Sequence, residues 1–197
     1  MEIGGVFGGM NLLNTKRIRR FLALALAGSA AFVATTGAAQ AQVPVLQPNT
    51  PYKLKFAHSG QILNVPNASN AEDLPLVTYF DIPGFKNDDF TFIKVGGSFP
   101  ANTYVIQAGK NAFGLQLYVV PRAGKIGQPV VQDRVLGPFS AWQLKPGQKA
   151  GHVEIVHLQS GLAMNVAGAS ANPGTPVIVW PPSKVHLNDD VRILPAT

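Results

Sequence analysis

Apolar residues alternate with polar ones over short stretches and then stop. In the clearest stretch Tyr52, Leu54 and Phe56 alternate with Lys53 and Lys55, the period of two expected of a strand with one buried face. The segments 52–58, 62–65, 76–81 and 90–95 read as four short strands. Clusters of Gly, Pro, Asn and Asp separate them, as turn chemistry requires. From residue 42 onward no helical period of useful length occurs. The pattern predicts an all-β domain of many short strands.

The pattern also repeats. Ser59-Gly60-Gln61-Ile62-Leu63-Asn64-Val65 returns 101 residues later as Ser160-Gly161-Leu162-Ala163-Met164-Asn165-Val166. Without a gap, the same offset carries Ala68-Ser69 onto Ala169-Ser170, Pro75 onto Pro176 and Tyr79 onto Trp180. It also carries Asn87-Asp88-Asp89-Phe90 onto Asn188-Asp189-Asp190-Val191. A weaker copy lies between. Gly114 to Val119 matches Gly161 to Val166, and Gly127 to Val131 matches Gly174 to Ile178. Phe139-Ser140-Ala141-Trp142 then takes the place of Asn188 to Val191 after a shorter loop. The three units run about 50–95, 101–146 and 151–196. Three four-stranded units are too few to close a propeller, and a solenoid would carry atypical capping repeats. A closed pseudo-threefold barrel hides its sheet edges best, which predicts a β-trefoil of three four-stranded repeats over 50–197.

Each unit resembles a repeat of the ricin B-type (R-type) lectin family. Those repeats run, in outline, as Ser-Gly, then Leu-Asp-Val, then Gly-x-x-Val-x-x-Trp, then Asn-Gln-x-Trp. The third unit offers Ser160-Gly161, Met164-Asn165-Val166, Gly174-Thr175-Pro176-Val177, Trp180 and Asn188-Asp189-Asp190-Val191. The resemblance covers the chain beyond residue 50. No unit keeps the Gln-x-Trp triplet whole; Trp142 retains its Trp, and Phe90 and Val191 replace it elsewhere.

Composition changes the picture chiefly at the N-terminus. Lys16, Arg17, Arg19 and Arg20 precede an apolar run over 21–34, small residues and Ala39-Gln40-Ala41. This is the layout of a secretory signal peptide. It predicts a signal over 1–41 cleaved before Gln42, a linker over 42–49, and a secreted or periplasmic product with no stable membrane insertion. Met10 stands just ahead of this layout, so either Met1 or Met10 can serve as the start. The whole chain carries 16 basic and 10 acidic residues, a formal +6. Residues 42–197 carry 12 and 9, a formal +3, so most of the argument for an acidic polymer as ligand disappears with the signal. There is no cysteine, which excludes disulfides, thiolate metal sites and cysteine nucleophiles.

The resemblance implies sugar recognition by an amide or acidic side chain, an aromatic platform and a second amide. A pyranose packs its C–H face on a ring and turns its hydroxyls to groups that donate and accept. The implied set in the third unit is Asn165, Trp180, Asn188 and Asp189, and in the first Asn64, Tyr79, Asn87 and Asp88. Asn64 and Asn165 stand where the family has Asp; a neutral amide makes weaker bonds than a charged acceptor, so weaker binding or a changed sugar preference is expected. Asp88 and Asp189 either support the site or hold the loop. Asn64 and Asn165 can equally satisfy backbone groups beside a turn, and both Asn-Asp-Asp runs can be turn formers. Trp180, beside Pro181 and Pro182, is expected to be exposed; Trp142, at the family's core position, is expected to be buried. In the middle unit Tyr118, Asp133 and Phe139 replace the set, so that unit is expected to be structural.

Other chemistry is sparse. His152 and His157 are five apart in one expected strand and point to opposite faces, so no metal site is read. No phosphate loop, catalytic elbow or aromatic-interleaved basic patch appears, so neither a cofactor, an enzyme nor a nucleic-acid binder is read. The expected function is a secreted, non-enzymatic carbohydrate-binding module with up to two shallow sites. Its partner is a glycan, galactose-type sugars being the first class to test. The alternative is a protein-binding trefoil, a protease inhibitor or an adhesion or toxin-associated factor, that presents the loops 81–86 or 181–186.

Overall fold

The computed structural model describes residues 42–134 and 140–196. The expected signal over 1–41 and Phe139 lie outside the described residues. The first unit contains β1 (Pro51–Phe56), β2 (Ile62–Asn64), β3 (Leu74–Pro75), β4 (Val77–Tyr79) and β5 (Phe90–Lys94). The middle unit contains β6 (Thr103–Lys110), β7 (Gln116–Pro121), β8 (Val130–Asp133) and β9 (Ala141–Pro146). The third contains β10 (Val153–His157), β11 (Ala163–Val166), β12 (Val177–Trp180) and β13 (Asp190–Pro195).

The outer strands of each unit close a six-stranded antiparallel ring. β1 pairs β5, β5 pairs β6, β6 pairs β9, β9 pairs β10, β10 pairs β13, and β13 returns to β1. The inner strands form the hairpins β2–β4, β7–β8 and β11–β12. Closure leaves the ring without an unpaired edge, and the described residues form an all-β trefoil.

The threefold pattern continues in the core. Leu54, Ile106 and Ile155 occupy matching places on the first strand of each unit, and Leu63, Leu117 and Met164 on the second; all six are fully buried. Leu76, Val130 and Val177 meet where the hairpins converge. There Leu76 N–H donates to the Val130 carbonyl at 2.9 Å and Val177 N–H to the Leu76 carbonyl at 3.0 Å. The expected strand 76–81 is observed as the shorter β4, which pairs with its own β2, while β3 just ahead of it pairs with β8 of the next unit, so the chain changes partners at Leu76. Phe90, Trp142 and Val191 fill the third equivalent layer, and Trp142 is fully buried with its indole N–H on the Val119 carbonyl at 2.7 Å. A buried Trp needs such an acceptor.

Two local features add to this frame. The expected linker over 42–49 lies against the barrel: Val43 and Leu46 pack on the core, and Gln47 N–H donates to the Tyr52 hydroxyl at 2.7 Å. Lys53 does not follow the outward alternation of β1. It is buried while Lys55 is exposed, because acids from the loop before β5 cover it.

Candidate functional site

Two hollows lie on the outside of the trefoil at equivalent positions. The first has a volume of about 680 Å³ and the third about 620 Å³, both in the range of small-molecule sites. Each is framed by the end of a hairpin strand, the turn after the second strand and the loop before the last strand. Asn64 and Asn165 project from β2 and β11, Tyr79 and Trp180 end β4 and β12, and Asn87 and Asn188 stand in the closing loops. The structure therefore brings together all four candidate residues of the first unit and three of the four of the third, Asp189 being the one left out.

The asparagines form a lock. Asn87 Nδ2 donates to Asn64 Oδ1 at 3.0 Å and to the Val65 carbonyl at 2.9 Å. Asn188 Nδ2 donates to Asn165 Oδ1 at 2.8 Å and to the Val166 carbonyl at 3.0 Å. In return Val65 N–H donates to the Asn87 carbonyl at 2.8 Å, and Val166 N–H to that of Asn188 at 3.0 Å. The backbone-satisfying role belongs to Asn87 and Asn188, and Asn64 and Asn165 complete it.

Tyr79 is 39% exposed and Trp180 47%. Both end a strand and line their hollows. The Trp180 ring is fitted against the neighbouring repeat, since a Cβ at Gly127 would lie 3.6 Å from it. The first hollow likewise borrows Gly174 from the third repeat.

Asp88 and Asp189 hold loops. Asp88 borders the first hollow, but its carboxylate pairs with Lys53 Nζ at 2.9 Å, and Lys53 reaches Asp81 at 2.8 Å. Burial pulls the Lys53 ammonium down, but its bonds to Asp81 and Asp88 more than reverse this and leave it above the ordinary lysine value. Asp189 is fully buried and accepts the Ser183 N–H at 2.6 Å. Burial pushes its carboxyl up, the Ser183 N–H pulls it down, and the neighbouring Glu154 and Asp190 add to the rise. Neither carboxylate is presented to a ligand.

The sequence pointed to the loops 81–86 and 181–186 only as protein-binding candidates, not as walls of these hollows. In the first hollow the walls are Phe80, Ile82 and Phe85, all exposed, with the Phe80 ring edge-on to Tyr79 at 5.5 Å. In the third they are Pro181, Ser183 and His186. The 101-residue offset pairs these positions one by one, and that is the signal that could have found them.

The middle unit has a third, smaller hollow of about 350 Å³ holding Arg122 and Asp133. Arg122 Nε donates to Asp73 at 2.6 Å. With Tyr118 at the amide position and Asp133 at the platform position, no exposed ring or amide lock is present there among the described residues.

No protein-family model and no curated protein matches the chain. Solved structures do. A designed threefold-symmetric protein, ThreeFoil, is 24% identical, with a TM-score of 0.63 over 74% of this chain and 99% of its own. The Rhizoctonia solani agglutinin is 18% identical, with a TM-score of 0.63 over 78% and 100%. The Macrolepiota procera ricin B-like lectin, solved in complex with lactose, is 16% identical, with a TM-score of 0.60 over 78% and 100%. At these identities the likeness shows the fold, a β-trefoil of the kind seen in ricin B-like lectins.

Proposed function

We propose that this chain is an exported, non-enzymatic carbohydrate-binding module with one sugar site in the first hollow and one in the third. The observation that supports this best is a single constellation built twice. Each copy sets an exposed ring beside a locked pair of amides across a hollow of molecular size. The ring takes the C–H face of a pyranose, and the amide meets its hydroxyl edge. Fixed side chains lower the ordering cost of binding. Two such sites on one chain favour multivalent surfaces, where avidity exceeds single-site affinity. The lactose bound by the Macrolepiota lectin makes galactose-type glycans the first class to test.

A glycan array with the chain from residue 42 onward tests this reading. Retention on at least one glycan is expected, with Trp180→Ala and Tyr79→Ala each removing one site. No retention on any glycan by the unaltered protein would overturn it. One observation favours a second reading, a protein-binding trefoil: Phe80, Ile82 and Phe85 are exposed together on the closing loop of the first unit. Capture of a protein partner that survives Trp180→Ala and Tyr79→Ala, but not Phe85→Ser, would favour it.

A further inference from the structure

The amide lock fixes which end of Asn165 a ligand meets. The Val166 carbonyl can only accept, so the group that Asn188 places on it must be its NH₂. The same nitrogen reaches Asn165, whose bonded end must then be its oxygen. Nδ2 is left as the free end of Asn165 in the hollow that it lines. Where the resembling family would present a carboxylate that accepts, this site presents an amide that donates.

The other groups of the third hollow point the same way. Ser183 Oγ accepts the N–H groups of Val185 at 3.1 Å and His186 at 2.8 Å. Its two lone pairs are taken and its hydrogen is left to donate. Asn188 Oδ1 is without a partner but buried. Among the described residues no carboxylate lines this hollow, and Asp189, the nearest in sequence, is fully buried. The loop is held in place: Gln148 Nε2 donates to the Ser183 and His186 carbonyls at 2.8 and 3.1 Å. The donors are therefore in position before any ligand arrives.

We infer that the third hollow binds a sugar acid, a pyranose bearing a carboxylate, which Asn165 Nδ2 and the Ser183 hydroxyl meet as donors while Trp180 takes the C–H face. This rests on the carbohydrate-binding reading above and names the ligand class of that site. A carboxylate receives these hydrogen bonds more strongly than a neutral hydroxyl does, and no acidic group in the hollow repels it.

Calorimetric titration with matched pairs tests the inference: galactose against galacturonic acid, and lactose against sialyllactose. The two acids separate a uronate from a sialate as the source of the carboxylate. At least one acid is expected to bind about five- to tenfold tighter than its neutral partner. Asn165→Asp keeps the oxygen that Asn188 needs and replaces only the free NH₂ by an acceptor, so it is expected to abolish or reverse that order. A thermal melt checks that this variant is folded, and the matched pairs on the unaltered protein stand without it. Neutral sugars binding as tightly as their acids, or an acid preference untouched in folded Asn165→Asp, overturns the inference and leaves the lectin reading in place. No binding by any of the four overturns both.

Discussion

The first and third hollows share a frame and differ in what fills it. The lock is the same to within about 0.2 Å at each bond, and the platform ends the same hairpin strand. The walls differ: aromatic and aliphatic in the first, proline, serine and histidine in the third. The struts beneath are opposite in charge. In the first unit a cation on β1, Lys53, holds acids of the closing loop. In the third, Glu154 occupies the matching place on β10, and Lys184 of the loop reaches it at 3.2 Å. The closing loop has to be tied to the barrel, but the sign of the tie is free, because strand and loop residues can exchange charges without moving the backbone. Walls and ties vary; the amide lock and the platform position do not.

The struts give the largest expected difference. Lys53 is 10% exposed and Asp88 1%, whereas Lys184 is 76% exposed. Lys53→Met leaves a buried carboxylate without its cation and is expected to cost about 3–5 kcal/mol. Lys184→Met also strands a buried carboxylate, Glu154 at 4% exposure, but the lost ammonium is solvated and serves one acid instead of two, so a smaller cost than at Lys53 is expected. Because the Lys53 ammonium is raised above its ordinary value of 10.5, its contribution is complete below that value and is lost only as the pH rises through the raised one. Urea unfolding of the two variants near neutral pH checks the contrast, and equal costs would break the comparison.

The locks come next. Asn188→Ala leaves the Val166 carbonyl and Asn165 Oδ1 without a donor in a buried place, a loss of about 1–3 kcal/mol. The equivalent bonds of Asn87 are only partly buried, so water replaces them in part and Asn87→Ala should cost less. Thermal melts of both variants rank them; a larger loss at Asn87 would mean that the first lock carries more than its bonds.

How much of this was legible in the chain follows from what each feature depends on. The trefoil was legible because Leu54, Leu63 and Leu76 recur as Ile155, Met164 and Val177 at one offset, and burial at repeated places writes itself as periodicity. The platforms were legible for the same reason. Lys53 was not: its strand neighbours predict an outward side chain, and the acids that bury it stand 28 and 35 residues away. The orientation of Asn165 was not legible either, since it is set by the direction of one backbone carbonyl. Asp189 could be read as support or as a loop anchor, and only the Ser183 N–H on its carboxylate separates the two.

Asp189 also gives a prediction in pH. Its folded carboxyl is raised, chiefly by burial, above the ordinary value of 3.8. The folded state therefore holds the proton more tightly than the unfolded chain does, and stability falls as the pH rises from that value through the raised one. Asp189→Asn keeps an oxygen for the Ser183 N–H and removes the titration. The variant's stability relative to the unaltered protein should rise between pH 4 and neutrality, as followed by unfolding at a series of pH values. A constant difference across that range would show that Asp189 titrates in the fold as it does in the unfolded chain.

The smallest effect is expected at the turn beneath each hollow, where the two units have solved one backbone problem differently. Asn67 and Gly168 both lie in the left-handed region, at φ 55° and 59°. Glycine enters that region freely, and asparagine enters it at less cost than other side chains. Asn67→Gly relieves a little strain in the fold and frees a little entropy in the unfolded chain, so the two terms oppose and stability should change by less than about 0.5 kcal/mol. The Asn67 side chain lines the first hollow, whereas Gly168 brings none to the third. A shift of ligand affinity in Asn67→Gly without a shift in melting temperature would make this residue a contact of the first site. A shift in melting temperature alone would make it part of the turn, and the two hollows would then differ only in their closing loops and platform rings.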